Sequence, residues 1–209
     1  MRPVLWLTAA ALLLTPLPGS LAATDEASSL AEARRYLRMA ELNDDSPERS
    51  DFYLKAEQLA AETLASDPLS ADANFVLFAA RGRRILDRGR GLSALWQLPS
   101  LKSHLSRALE LDPEHPHALA AMGALLLDLP PLLGGNAEDA RRYLEKAVAL
   151  NPTGSGTRIA LARALLRQGL RGPAIIHLQH AAHYACLTRR ASVLAQADGL
   201  LTQLKAGAL

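Results

Sequence analysis

Apolar residues recur along this chain of 209 residues at steps of three and four, and prolines or clusters of Gly, Asn and Asp interrupt them at intervals. The pattern predicts helices over 28–42, 52–66, 71–86, 99–111, 117–129, 137–150, 157–168, 173–187 and 190–204. Leu30, Ala33, Leu37 and Ala40 share one face of the first, and Val193, Leu194, Ala197, Leu200, Leu201 and Leu204 one side of the last. Between 87 and 99 the chain is rich in Gly and Arg and carries Trp96, so it reads as an irregular connection. Pro130-Pro131 stops one helix, since proline lacks a donor and disfavours helix in the residue before it. Asn136 is placed to cap the next.

The helices repeat. The stretch from Leu144 to Pro152, LEKAVALNP, has relatives at Leu105 to Pro113, LSRALELDP, and at Ala60 to Pro68, AAETLASDP. Ala140, Leu144 and Ala147 have counterparts Ala174, Leu178 and Ala181, each 34 residues on. Pro113 to Gly123 and Pro152 to Ala162 are both ten residues. The extra length lies inside hairpins, as a five-residue insertion, LPPLLGG, and about eleven residues around GLSALWQLP. Small residues at 108, 123, 140, 147, 162, 174 and 181 mark where paired helices approach closely, with Leu105, Leu144 and Leu178 beside them.

The 34-residue period resembles the tetratricopeptide repeat family. That resemblance implies an all-α, right-handed solenoid of about four helical hairpins over 28–188, with a capping helix and tail over 189–209. Phe78 stands where a small residue is expected, Leu101 replaces an alanine, and Cys186 takes the place of a repeat-ending proline.

Residues 1–22 change the picture of where the protein works. Arg2, the apolar run from Val4 to Leu14, and Ser20-Leu21-Ala22 have the form of a secretory signal peptide. Cleavage after Ala22 leaves about 187 residues, a flexible mature start at 23–27, no transmembrane anchor and a periplasmic location. The formal net charge of +2 gives no bulk attraction to nucleic acid. Aromatic residues make up only 4%, a composition suited to closely packed helices. Cys186 is the single cysteine, so packing alone stabilises the fold.

A narrower resemblance lies in LDLPPLLGGNAEDARRYLEKAVALNP, which is similar to part of the TatT-like exported components of TRAP-type transporters. It implies a non-catalytic scaffold whose partner is a protein or peptide of the cell envelope, a transporter's solute-binding protein. The repeat family's inner-face register, carried onto this chain, implies a groove made by Phe75, Val76, Ala79 and Arg83, by His117, Ala120, Ala121 and Ala124, and by Ile159, Arg163 and Arg167. Such a surface is apolar with an arginine edge, fit for a peptide with apolar anchors and a carboxylate; a solvated helix face explains Arg163 and Arg167 equally well.

Other clusters offer weaker chemistry. His177, His180, His183 and Cys186 could supply nitrogen and sulfur to a metal in a carrier, but steps of three spiral round a helix and bring no more than neighbouring pairs together. His177 also shares a repeat register with His104 and Tyr143, which points to packing between helices. Arg81, Arg83, Arg84, Arg88 and Arg90 crowd ten residues, either as a solvated connection or as a surface for anionic lipid or an acidic protein. The NPTGSGT stretch at 151–157 precedes a helix as an anion site does, yet it lacks the P-loop lysine and reads as a turn between repeats. No catalytic constellation, cofactor motif or metal site is indicated.

Overall fold

The structure, a computed structural model, describes residues 19–42, 47–87 and 92–207. Nine α-helices are found among them: α1 (Gly19–Leu42), α2 (Arg49–Ser66), α3 (Ala71–Asp87), α4 (Leu92–Leu111), α5 (Pro116–Asp128), α6 (Ala137–Leu150), α7 (Ser155–Arg167), α8 (Arg171–Leu187) and α9 (Ala191–Lys205). They form four antiparallel hairpins, α1/α2 to α7/α8, each packed on the next, with α9 laid against α8. Residues 23–27, expected as the mature start, lie within α1; LAATDEA contains no helix breaker. One expectation is corrected. The connection after Asp87 is largely helical from Leu92 onward. Leu, Ala and Gln favour helix there, and Pro99 is accommodated inside α4 at the loss of one backbone hydrogen bond. Residues 1–18, which hold most of the expected signal peptide, and Arg88 and Arg90 lie outside the described residues.

The small residues lie where the repeat requires them. Ala108, Ala140, Ala147, Ala162, Ala174 and Ala181 are buried, as are Leu105, Leu144 and Leu178, which are wholly enclosed. A Cβ on Gly123 would come within 2.5 Å of Leu144 Cγ and 2.9 Å of the Ala140 carbonyl oxygen, so α5 and α6 cross in near contact. In the second hairpin Phe78 is half-buried, and no comparably close crossing is found at Gly82, where a Cβ would make only ordinary contact with Leu101 Cδ2 at 4.0 Å. Val193, Leu200, Leu201 and Leu204 of α9 close the core around buried Ala197.

The insertion after α5 is a compact turn. Pro131–Leu133 form one 3-10 turn, Gly134 takes a left-handed conformation (φ 86°), and Gly135 fits so closely under Leu129 that a Cβ there would meet its carbonyl oxygen at 1.9 Å. The Asn136 side chain then caps α6 by accepting from Glu138 N at 2.9 Å and Asp139 N at 3.2 Å.

Candidate partner-binding face

Polar contacts join the first helices of successive hairpins. Asp72, in the first turn of α3, pairs with Arg34 of α1 and with His115, the residue that caps α5. His115 is buried; its Nδ1 accepts from Ala118 N at 3.1 Å, so Nε2 carries the proton and donates to Asp72 Oδ1 at 2.9 Å. The hydrogen bond from His115, opposed by burial and aided by Arg34, holds the Asp72 carboxyl down from 3.8 to about 2. At the far end, Arg163 of α7 pairs with Asp128 of α5 at 2.9 Å, and Arg167 donates to the Leu127 carbonyl oxygen. A cation there faces the negative end of the α5 dipole.

Of the expected groove residues, Phe75 and His117 are brought together, their rings stacked at 5.7 Å, with His115 packed on Phe75 at 5.1 Å. One face of the exposed His117 ring is covered by Phe75, and this partial desolvation, with His115 nearby, pushes the imidazole below its ordinary value. Ala79, Ala120, Ala121 and Ala124 are half-buried and Arg83 is exposed. Val76 and Ile159 are 1% and 2% exposed, members of the core, and offer no surface to a partner. Their β-branched chains turn into the hairpin contacts instead. Arg163 and Arg167 flank the face, but both are committed to α5.

The remaining motifs resolve into structural roles. Arg81 and Arg84 share Glu57 of α2, with Arg81 Nε 2.8 Å from Glu57 Oε1. Arg158 is buried; it donates to the Pro152 carbonyl oxygen at 2.7 Å and to Nδ1 of both His177 and His180 at 3.3 Å, and lies over the Tyr184 ring. The lone pairs that these two histidines would offer a metal thus face a guanidinium. Among the described residues no group of three or more His, Cys, Asp or Glu is placed to hold a metal ion. His104 donates from Nδ1 to Asn74 Oδ1 at 3.3 Å, so the His104/His177 column does link second helices to first ones.

A cleft of about 720 Å³, not among the sequence expectations, lies between α4 and α6, floored by Leu119, Met122 and Leu126 of α5. Lys102, Arg142 and Lys146 stand at its rim. It opens where α4 of the second hairpin packs on α5 of the third more sparsely than α2 does on α3 or α6 on α7.

This stack of antiparallel hairpins, sealed by small residues and a terminal helix, is a tetratricopeptide-type α-solenoid. A thermophilic TPR protein of Thermus thermophilus has the same fold at 20% identity (TM-score 0.53, 85% of this chain and 93% of that one). PilF of Pseudomonas aeruginosa does so at 17% (TM-score 0.52, 84% and 78%). The family model of the TRAP transporter T-component matches residues 21–171, and the chain belongs to that family. No curated protein matches the sequence. Family and fold are both of non-catalytic kinds, and no described helix is long and apolar enough to cross a membrane.

Proposed function

We propose that this chain is an accessory component of a TRAP-type transporter, exported to the periplasm through its signal peptide, and that it binds the transporter's solute-binding protein on the face formed by α3, α5 and α7. The supporting observation is a preformed surface: small side chains at Ala120, Ala121 and Ala124 beside the stacked Phe75 and His117 rings. The flanking ends are braced by Asp72, Arg163 and Arg167. A surface already ordered in the free protein loses little entropy on binding. Ala124 is half-exposed on this face, so Ala124→Arg should weaken binding of the purified solute-binding protein at least tenfold in a calorimetric titration while leaving the helical circular dichroism unchanged. An unaltered isotherm would place the contact elsewhere.

A second reading, a small-ligand carrier, draws support from the α4/α6 cleft, whose volume lies in the range of about 300–1,000 Å³ that small ligands occupy. Loss of partner binding with retained uptake of a small molecule would favour it.

A further inference from the structure

Large apolar side chains are exposed at one end of the second and third hairpins, the end where α3 turns into α4 and α5 into α6. Leu86 is 50% exposed, Trp96 86%, Leu132 98% and Leu133 44%. Both departures from the repeat length put them there. Helix α4 begins about six residues further ahead of Leu105 than α6 does ahead of Leu144, so it projects by roughly 9 Å, and Trp96 lies in the projecting part. Leu132 and Leu133 are carried by the insertion, which approaches α4: Lys102 Nζ is 3.7 Å from where a Gly134 Cβ would be. Trp96 stands on the projecting start of α4, and Leu132 and Leu133 on the 3-10 turn of the insertion.

The described acids at this end already face cations: Asp87, Asp128 and Asp139 are engaged by Arg49, Arg163 and Arg142, and Glu138 adds its field at Arg142. Arg83, one turn from the end of α3, is exposed, and neither it nor Lys102 has a carboxylate partner among the described residues.

We propose that this end of the solenoid docks on an anionic bilayer surface, with Trp96, Leu132 and Leu133 entering the headgroup region and Arg83 and Lys102 meeting lipid phosphates. Projecting apolar tips suit a fluid that deforms around them, whereas a protein partner would need pockets to match. Tryptophan favours the boundary between apolar and wet surroundings, and nearby cations add attraction to anionic lipid. The association is peripheral and reversible; of the face formed by α3, α5 and α7 it engages only Arg83 at the edge, and it leaves Phe75, His117 and the small side chains of α5 free.

The two tryptophans are Trp6 and Trp96, so in a Trp6→Phe background the emission reports Trp96 alone. The full chain, purified from the cells that make it, is mixed with vesicles of phosphatidylglycerol and phosphatidylethanolamine or of phosphatidylcholine alone. The expected result is a blue shift and quenching by lipids brominated near the headgroup, on anionic vesicles only and reduced by salt. Leu132→Asp with Leu133→Asp should cut the quenching at least fivefold. Both leucines are exposed, so circular dichroism should stay unchanged. Binding that proceeds through the N-terminal apolar run would bring the protein down with vesicles but leave Trp96 unquenched. That outcome overturns the proposal, as does equal quenching by phosphatidylcholine or no effect of the double substitution. None of these results bears on whether the solute-binding protein is bound.

Discussion

His115 Nε2 lies 2.9 Å from Asp72 Oδ1, joining the cap of α5 to the first turn of α3, with Arg34 of α1 on the same carboxylate. One side chain therefore ties three hairpins. Its folded pKa is depressed from 3.8 to about 2, so the stabilisation is fully present above about 4 and is lost as pH falls toward 2. Because Asp72 is partly exposed, about 1 kcal/mol is expected, less than the full shift would give. Thermal melts of Asp72→Asn should be lower than wild type at pH 7 and converge with it near pH 2.

His104, His117 and His177 are all held below 6.5, burial being the first cause in each. The folded state thus favours their neutral forms. Stability is complete above 6.5 and declines as pH falls through that value toward the lowered ones. A melting temperature that is flat from pH 7 to pH 5 would contradict these placements.

At His177 the second cause is the field of Arg158. Arg158→Gln should let the His177 imidazole rise toward its ordinary value in an NMR titration. It should also destabilise the fold by about 2 kcal/mol, since a charged donor to the Pro152 carbonyl is lost.

Gly123→Ala tests the close crossing of α5 and α6. The new methyl would collide with Leu144 and the Ala140 backbone, and a loss of about 1–3 kcal/mol in urea denaturation is expected. Gly156→Ala, where a Cβ meets nothing within 4 Å, is the neutral control.

Much of this architecture was legible from residue size and spacing. Ala140 and Gly123 announce a close crossing because no larger side chain fits between packed helices, and Pro113 and Pro152 announce the turns. The start of α4 was not legible, since Gly89, Gly91 and Pro99 suggested a loop while the residues between them favour helix. Val76 and Ile159 were assigned to the surface because a register carried from a family is blurred by a rotation of one residue, about 100°. The use of Arg163 and Arg167 was hidden for another reason: their partners, Asp128 and Leu127, lie some 35–40 residues away and belong to a different hairpin.

Those arginines are braces in the free protein. Arg163→Ala with Arg167→Ala should cost about 1 kcal/mol, as an exposed ion pair and a helix-end contact imply. Hydrogen exchange at Leu129, whose amide bonds the Leu125 carbonyl at 3.0 Å, should quicken. Unchanged exchange would mean that the two arginines do not secure the end of α5.

The most direct test of the proposed role is photo-crosslinking in intact cells. A benzophenone amino acid is placed at His117, exposed on the face formed by α3, α5 and α7, or at Ala149, exposed on α6. An adduct between His117-substituted protein and the transporter's solute-binding protein is expected, absent when the probe is at Ala149. An adduct with the solute-binding protein from Ala149 alone, or none from either position, would contradict the proposed role.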